Sequence, residues 1–420
     1  MLAGCLALVP ALARGAAFDV DHATQTWLAT LGPAARARSD AYFDGSIVLQ
    51  AVGTLVTLVI CWLIARSGVL LDARDRLRRH GWRPWVVMLA VAAQFLFWLV
   101  LLGLPWAIYT EFWRERQYGL MNQGFGAWLG DQAIAMVLTV VMGALALTVI
   151  NWAIRTFART WWLVGALAVG LMTALFALVA PVFITPLFNQ YSELPAGPLR
   201  TRIEAMAAAQ AIPADHIYVF NASRQSDRIS ANVAGLGPTV RISLTDNLVR
   251  RASLPEAAAV VGHEMGHYVM GHVWVGIVGV TLISALEFRL LAWLGPLAIA
   301  WGGRRRAVRG LDDPAALPVL VGGMAALSLL FAPVINTLTR YTESRADAFG
   351  LDAAREPDGF ASVAMKLSSY RKIDPPAWEE RLFYDHPSGH TRVHMAMAWK
   401  AAHVPDAREV VPPPLPAKAP

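Results

Sequence analysis

The sequence predicts a mainly α fold: a polytopic membrane bundle of six or seven spanning helices, with a water-facing part that holds a small β-sheet or hairpin. Three observations lead there. Of 420 residues, 56% are hydrophobic and only 16% charged, and the mean hydropathy of +0.44 lies outside the range of ordinary soluble domains. Five windows reach the roughly 20 apolar residues that cross a hydrocarbon core. Between them, one more polar stretch alternates as strands do, at Ile217 to Phe220 and Thr239 to Leu244.

In chain order, residues 1–17 form an apolar stretch broken by Pro10 and Arg14, followed by Asp19 and Asp21. Its small residues, Ala11-Leu12-Ala13 and Gly15-Ala16-Ala17, suit signal cleavage, and a first spanning segment is the other reading. A membrane domain is expected over residues 18–188, with spans at Ser46 to Ala65, Trp85 to Ile108, Gln132 to Ile154 and Trp161 to about Phe183. Residues 189–272 should fold in water and contain a helix over Pro198 to Ala211. Residues 273–338 hold two more spans, Val273 to Trp301 and Leu317 to Leu338. The first of these carries Glu287 and Arg289 near its middle, so the charges should pair or face a polar interior; two short buried helices are the alternative. Residues 339–405 are mixed helical and charged, and the tail 406–420 is proline-rich, with five prolines from Val411 onward, which favours an extended end.

The composition excludes a disordered chain, and two cysteines, Cys5 and Cys61, both in apolar runs, exclude a disulfide scaffold. A net charge of +6 on a membrane protein reports topology and anionic lipid rather than nucleic acid, which is not an expected partner.

The chemistry sits in His263-Glu264-Met265-Gly266-His267. The surrounding segment, Ala257 to Met270, reads as a helix entered through Ser253, with Pro255 and Glu256 in its first turn. Histidines four apart share one helical face, so both imidazoles can reach one Zn²⁺ while Glu264 points at a water on it. A catalytic zinc usually takes a third protein ligand. His272 follows His267 by five residues and is turned off that face, so it reads as a polar residue at the helix end. Glu343 and Asp347, four apart in Arg340 to Asp347, share a face of another helix. Glu343 can then bind the metal while Asp347 accepts the second ring N–H of a ligating histidine.

This combination resembles the M48 peptidases, in particular the Ste24-type CAAX prenyl protease branch, and the likeness runs from the Arg36 to Phe43 region to about Arg392. The resemblance implies a zincin-like catalytic domain, one zinc held by His263, His267 and Glu343, and a catalytic Glu264. It further matches Asn232 and Arg241 to a substrate-binding strand pair, and His386-Pro387 with Arg392 to residues near the reaction. It implies seven helices around an interior chamber, against six spans and one N-terminal stretch here.

The residues themselves suggest metal-assisted amide hydrolysis, with Glu264 moving the proton from water to the leaving amine. His386 or Arg392 would stabilise the oxyanion or hold a substrate carboxylate; a turn residue and a surface ion pair are their bland alternatives. The segment Ala231 to Leu244 offers either a strand edge for an extended peptide or a plain hairpin. Expected partners are the lipid bilayer and a peptide or protein substrate, prenylated or membrane-embedded. The resemblance allows CAAX-type processing or membrane-protein quality control. A transporter with Glu287, Arg289 and histidines along its pathway is the reading from a different class; it would be indifferent to a chelator. A scaffold without activity is disfavoured because the zinc set is complete.

Loop arginines mark the cytoplasmic side. Residues 66–83 contribute six, Arg155 and Arg159 two, and Arg304, Arg305, Arg306 and Arg309 four, while loops 18–45 and 109–131 have two each. Twelve against four puts the metal site on the outward face of a bacterial inner membrane, although the eukaryotic relatives implied by the resemblance cleave from the cytosol.

Overall fold

The fold was taken from a computed structural model, which describes residues 18–235, 240–301, 308 and 310–410. The signal-like stretch 1–17, Gly237, Thr239, the four arginines from Arg304 to Arg309 and the tail beyond Val410 lie outside the described residues.

Helices dominate. The first part of the chain comprises α1 (Val20–Leu28), α2 (Pro33–Ser67), α3 (Val69–Arg79), α4 (Pro84–Ala107), α5 (Arg114–Gln117), α6 (Phe125–Thr156) and α7 (Trp161–Val179). A small four-stranded sheet follows, built from β1 (Tyr191–Glu193), β2 (Ile217–Phe220), β3 (Ala231–Ala234) and β4 (Arg241–Thr245), with α8 (Pro198–Ala209) between β1 and β2. Then come α9 (Asp246–Arg251), α10 (Leu254–Val269), α11 (His272–Trp301), α12 (Leu317–Ala354), α13 (Pro357–Leu367), α14 (Ala377–Phe383) and α15 (Gly389–His403).

Six helical stretches among the described residues are long and apolar enough to cross a membrane: Pro33–Ser67, Pro84–Gln117, Phe125–Thr156, Trp161–Leu187, His272–Ala300 and Pro314–Ala354. Their shared core is made by Phe95, Val91, Met88, Phe288, Leu291 and Leu320, all buried. The second stretch continues through a π-helical turn at Ile108–Trp113, just after Pro105, whose missing N–H breaks the regular ladder. His272–Trp301 is one continuous helix, not two short ones. Glu287 is buried in it and accepts from Ser328 Oγ of α12 at 2.9 Å, whereas Arg289 is exposed.

The sheet order is β1-β2-β4-β3, with β2 and β4 parallel and the other pairs antiparallel. Ile217, Ile242 and Leu244 on its inner face pack with Ile203 of α8 and with Val261 and Met265 of α10. A third cluster joins Trp27 and Leu28 of α1 to Phe360 of α13 and Val393 and Met397 of α15. The segment before α2 is thereby folded onto the C-terminal helices.

Contacts at the two ends of the bundle set its relative topology. Arg74 pairs with Asp313, and Asn151 Nδ2 donates to the Asp312 carbonyl at 2.9 Å, so α3, the end of α6 and the segment just before α12 share one end. At the other end Arg228 reaches Glu115 at 2.9 Å, Arg224 reaches Asp131 at 3.0 Å, and Asn122 donates to the Ser223 carbonyl at 2.9 Å. The sheet and α10 therefore stand on the end opposite α3 and the last turn of α6.

Candidate metal centre

The metal-binding motif lies in α10, whose start is fixed locally. Ser253 caps it, Pro255 occupies the first turn, and the Glu256 carboxylate accepts the Ser253 N–H at 2.7 Å in a capping box. Glu256 also takes Lys366 Nζ at 2.7 Å and the Ser362 hydroxyl, which ties α10 to α13. From this start the 3.6-residue period brings His263 and His267 onto one face, with their Nε2 atoms 3.0 Å apart.

The opposing wall is α12. It crosses α10 where two glycines meet: a Cβ on Gly350 would stand 2.8 Å from the His263 backbone nitrogen, and one on Gly262 3.0 Å from the Gly350 carbonyl. This close approach sets Glu343 against both imidazoles, with Oε2 3.2 Å from His263 Nε2 and Oε1 3.4 Å from His267 Nε2. Among the described residues, His263, His267 and Glu343 form the group able to hold a metal, with ligand atoms within 4.8 Å of one another. The donor set suits a divalent cation. Two imidazole nitrogens each able to reach an ion about 2 Å away face a carboxylate, a familiar zinc set that leaves a position for water. Glu343 Oε2 is buried without a hydrogen-bond partner, which a cation between the three side chains would satisfy.

Asp347 lies one helical turn beyond Glu343 and is fully buried. His263 Nδ1–H donates to its Oδ1 at 2.8 Å, because a carboxylate can only accept, and in the neutral imidazole this leaves Nε2 as the lone pair. Arg392 of α15 completes the arrangement: its Nε donates to Asp347 Oδ2 at 2.8 Å and its second nitrogen to Oδ1, while the guanidinium sits 5.5 Å over the Phe360 ring. Of the two expectations for Arg392, the ion pair is the contact found, although it is buried rather than on the surface. His386 Nε2 stands 3.3 Å from Glu343 Oε2, and its Nδ1 bonds Asp385 at 2.8 Å.

Glu264, one residue round from His263, lines a cavity of about 160 Å³ together with His263, His386, Arg392, Phe360 and Tyr370. Burial raises the Glu264 carboxyl above its usual range. For His263, burial pulls the imidazole down, but the Asp347 and Glu343 carboxylates outweigh it and push it up to about 9.

The strand residues are less closely involved. Asn232 is exposed on the edge strand β3, opposite Ser243 of β4, and β3 packs against α10. Arg241 of β4 places its guanidinium 5.5 Å over the Tyr191 ring of β1, and no described contact joins it to the histidines. One residue that sequence reasoning set aside is in contact with the centre: His272 Nδ1 lies 2.9 Å from His267 Nδ1. Helical phase turned His272 away because it assumes a single helix, whereas α10 stops at Val269 and the chain reverses at Gly271, φ +64°, before α11 begins.

The chain matches the description "Peptidase family M48" over residues 193–400 and "CAAX prenyl protease N-terminal, five membrane helices" over residues 29–190. It is 30% identical over 300 residues to a Bacillus subtilis protein called uncharacterized metalloprotease YhfN, covering 71% of this chain and 70% of that one. A CAAX prenyl protease 1 homolog from Oryza sativa is 26% identical over 359 residues, covering 81% and 79%. The crystal structure of S. mikatae Ste24p superposes with a TM-score of 0.63 at 21% identity, covering 86% of this chain and 98% of that one, which shows a shared fold.

Proposed function

Since the chain belongs to peptidase family M48, as a multi-pass membrane metallopeptidase, we propose that it is a zinc-dependent endopeptidase that cleaves peptides delivered at or within the bilayer. The observation that carries the reading is the convergence of His263, His267 and Glu343 beside a cavity that Glu264 also lines. When bound, zinc supplies Lewis acidity that polarises a carbonyl and acidifies water. Glu264 takes the proton of the attacking water and returns it to the leaving amine; its raised carboxyl brings it nearer the pH at which both transfers run well. His386 stands at the cavity wall, and in its imidazolium form, with Nδ1–H on Asp385, its Nε2–H would face the position where an oxyanion would develop. Asp347 fixes the tautomer of His263, and Arg392 holds Asp347 in place. Asn232, on the exposed sheet edge, would pair with an extended substrate, and Arg241 would act beside it.

The names of the plant relatives favour C-terminal processing of prenylated peptides. We further propose a bacterial inner membrane, with the metal face periplasmic, on the strength of the arginine bias of the sequence and of α3 and the end of α6 lying at the opposite end. The test is hydrolysis of labelled peptides, with and without a prenylated C-terminal cysteine, by detergent-purified protein before and after phenanthroline. Chelator-sensitive cleavage supports the reading, and preference for the prenylated peptide supports the narrower one. Cleavage indifferent to the chelator, or none of either peptide, removes it.

A further inference from the structure

The two histidines of the motif are supported differently. His263 leans on a buried carboxylate, whereas the second ring nitrogen of His267 meets His272. The contact is nearly edge-to-face, with ring centroids 4.9 Å apart and planes at 77°. Two neutral imidazoles whose Nδ1 atoms lie 2.9 Å apart must share a proton, one donating and one accepting. His267 turns its Nε2 toward His263 Nε2 at 3.0 Å and Glu343 Oε1 at 3.4 Å. If that atom offers a lone pair to a cation, the proton of His267 sits on Nδ1. His272 Nδ1 is then the acceptor, and His272 carries its own proton on Nε2.

We infer that His272 is a positioning residue for the metal centre: it accepts the Nδ1–H of His267 and so fixes the tautomer and ring orientation of the second ligand. The device depends on Gly271. Its left-handed backbone stops α10 and lets the first residue of the membrane helix α11 turn back onto the motif. A membrane-spanning element thereby sets the orientation of a metal ligand. His263 thus donates to a carboxylate and His267 to a neutral imidazole, so the centre is asymmetric.

The inference rests on the zinc reading above, and the test separates the two. Purified wild type, His272→Asn and His272→Phe are compared by zinc competition against a chromophoric chelator, with circular dichroism to check the fold. Asn places an amide oxygen near the position of Nδ1, whereas Phe keeps the ring and removes the acceptor. We expect His272→Asn to bind zinc within a few-fold of wild type and His272→Phe to bind about 10–100-fold more weakly. Should the Phe variant unfold, His272→Leu gives the same comparison. Equal affinity in wild type and the acceptor-free variant, or equal losses in Asn and Phe, overturns the positioning role while the zinc reading stands. A wild type that binds no zinc overturns both.

Discussion

Glu264 and His263 are adjacent in sequence, yet their surroundings push them to different tasks. The Glu264 carboxyl is raised by burial at the cavity wall. Glu264→Gln preserves shape but cannot accept a proton, so the variant should keep its zinc and lose about 10²–10⁴-fold in kcat; peptide turnover together with metal analysis checks both halves. For His263 the pKa of about 9 makes a proton compete with zinc. Below about 9 each fall of one pH unit should weaken apparent zinc affinity by up to about tenfold, seen by titration between about pH 6 and about pH 8. The same shift contributes to stability before a cation binds: fully below the unfolded value of 6.5, and lost as pH rises through about 9. Glu343→Ala should abolish stoichiometric zinc. Asp347→Asn, which keeps the volume, should weaken binding by about 10–100-fold. Asp347→Ala would also leave Arg392 buried without its carboxylate, a loss of about 3–5 kcal/mol that thermal unfolding would register.

Among the elements, α10 and α12 decide whether the centre exists. Gly262 and Gly350 let their backbones meet, and Gly350→Ala would drive a methyl group against the His263 backbone. We expect that variant to lose about 1–3 kcal/mol and to hold less zinc, because the displacement falls between His263 and its partners on α12. Wild-type stability and zinc content in Gly350→Ala would remove this close approach as the positioning device. The length of α12 matters as well. From Leu317 in the bundle core, 1.5 Å per residue carries the helix about 39 Å to Glu343, beyond a hydrocarbon layer of about 30 Å. The ligand is thus carried on the same helix that forms the span, past the length a crossing requires. Apolar windows cannot show this continuation, because Arg340 to Asp347 is polar although it belongs to the same helix. For the same reason α2 begins at Pro33, well before the apolar window at Ser46.

Across the whole molecule, charge and contacts agree on relative sidedness. The Arg74–Asp313 pair and the Asn151 bond gather α3, the end of α6 and the segment before α12 at one end, and the Arg228–Glu115 pair anchors the sheet at the other. Reporter fusions at Arg306 and after Val411 should therefore give opposite sidedness, with Arg306 cytoplasmic; matching signals would contradict the topology. Packing of α1 on α13 and α15 adds a contact that no motif announces, since its apolar residues Ala23, Trp27 and Leu28 look like any amphipathic turn until the partner helices are known.

The sequence alone determined whatever depends on one helix or one apolar run: six spans, the shared face of His263 and His267, the shared face of Glu343 and Asp347, and strand β2 at its full length. Periodicity relates residues within an element and carries no information between elements. Tertiary structure therefore decided that Arg392 holds Asp347, that His386 stands beside Glu343, that Arg241 lies over Tyr191, and that His272 returns to His267 across the turn at Gly271. Each depends on how closely two elements approach and in which direction a chain leaves a helix; glycines set the α10–α12 approach and the turn that returns His272.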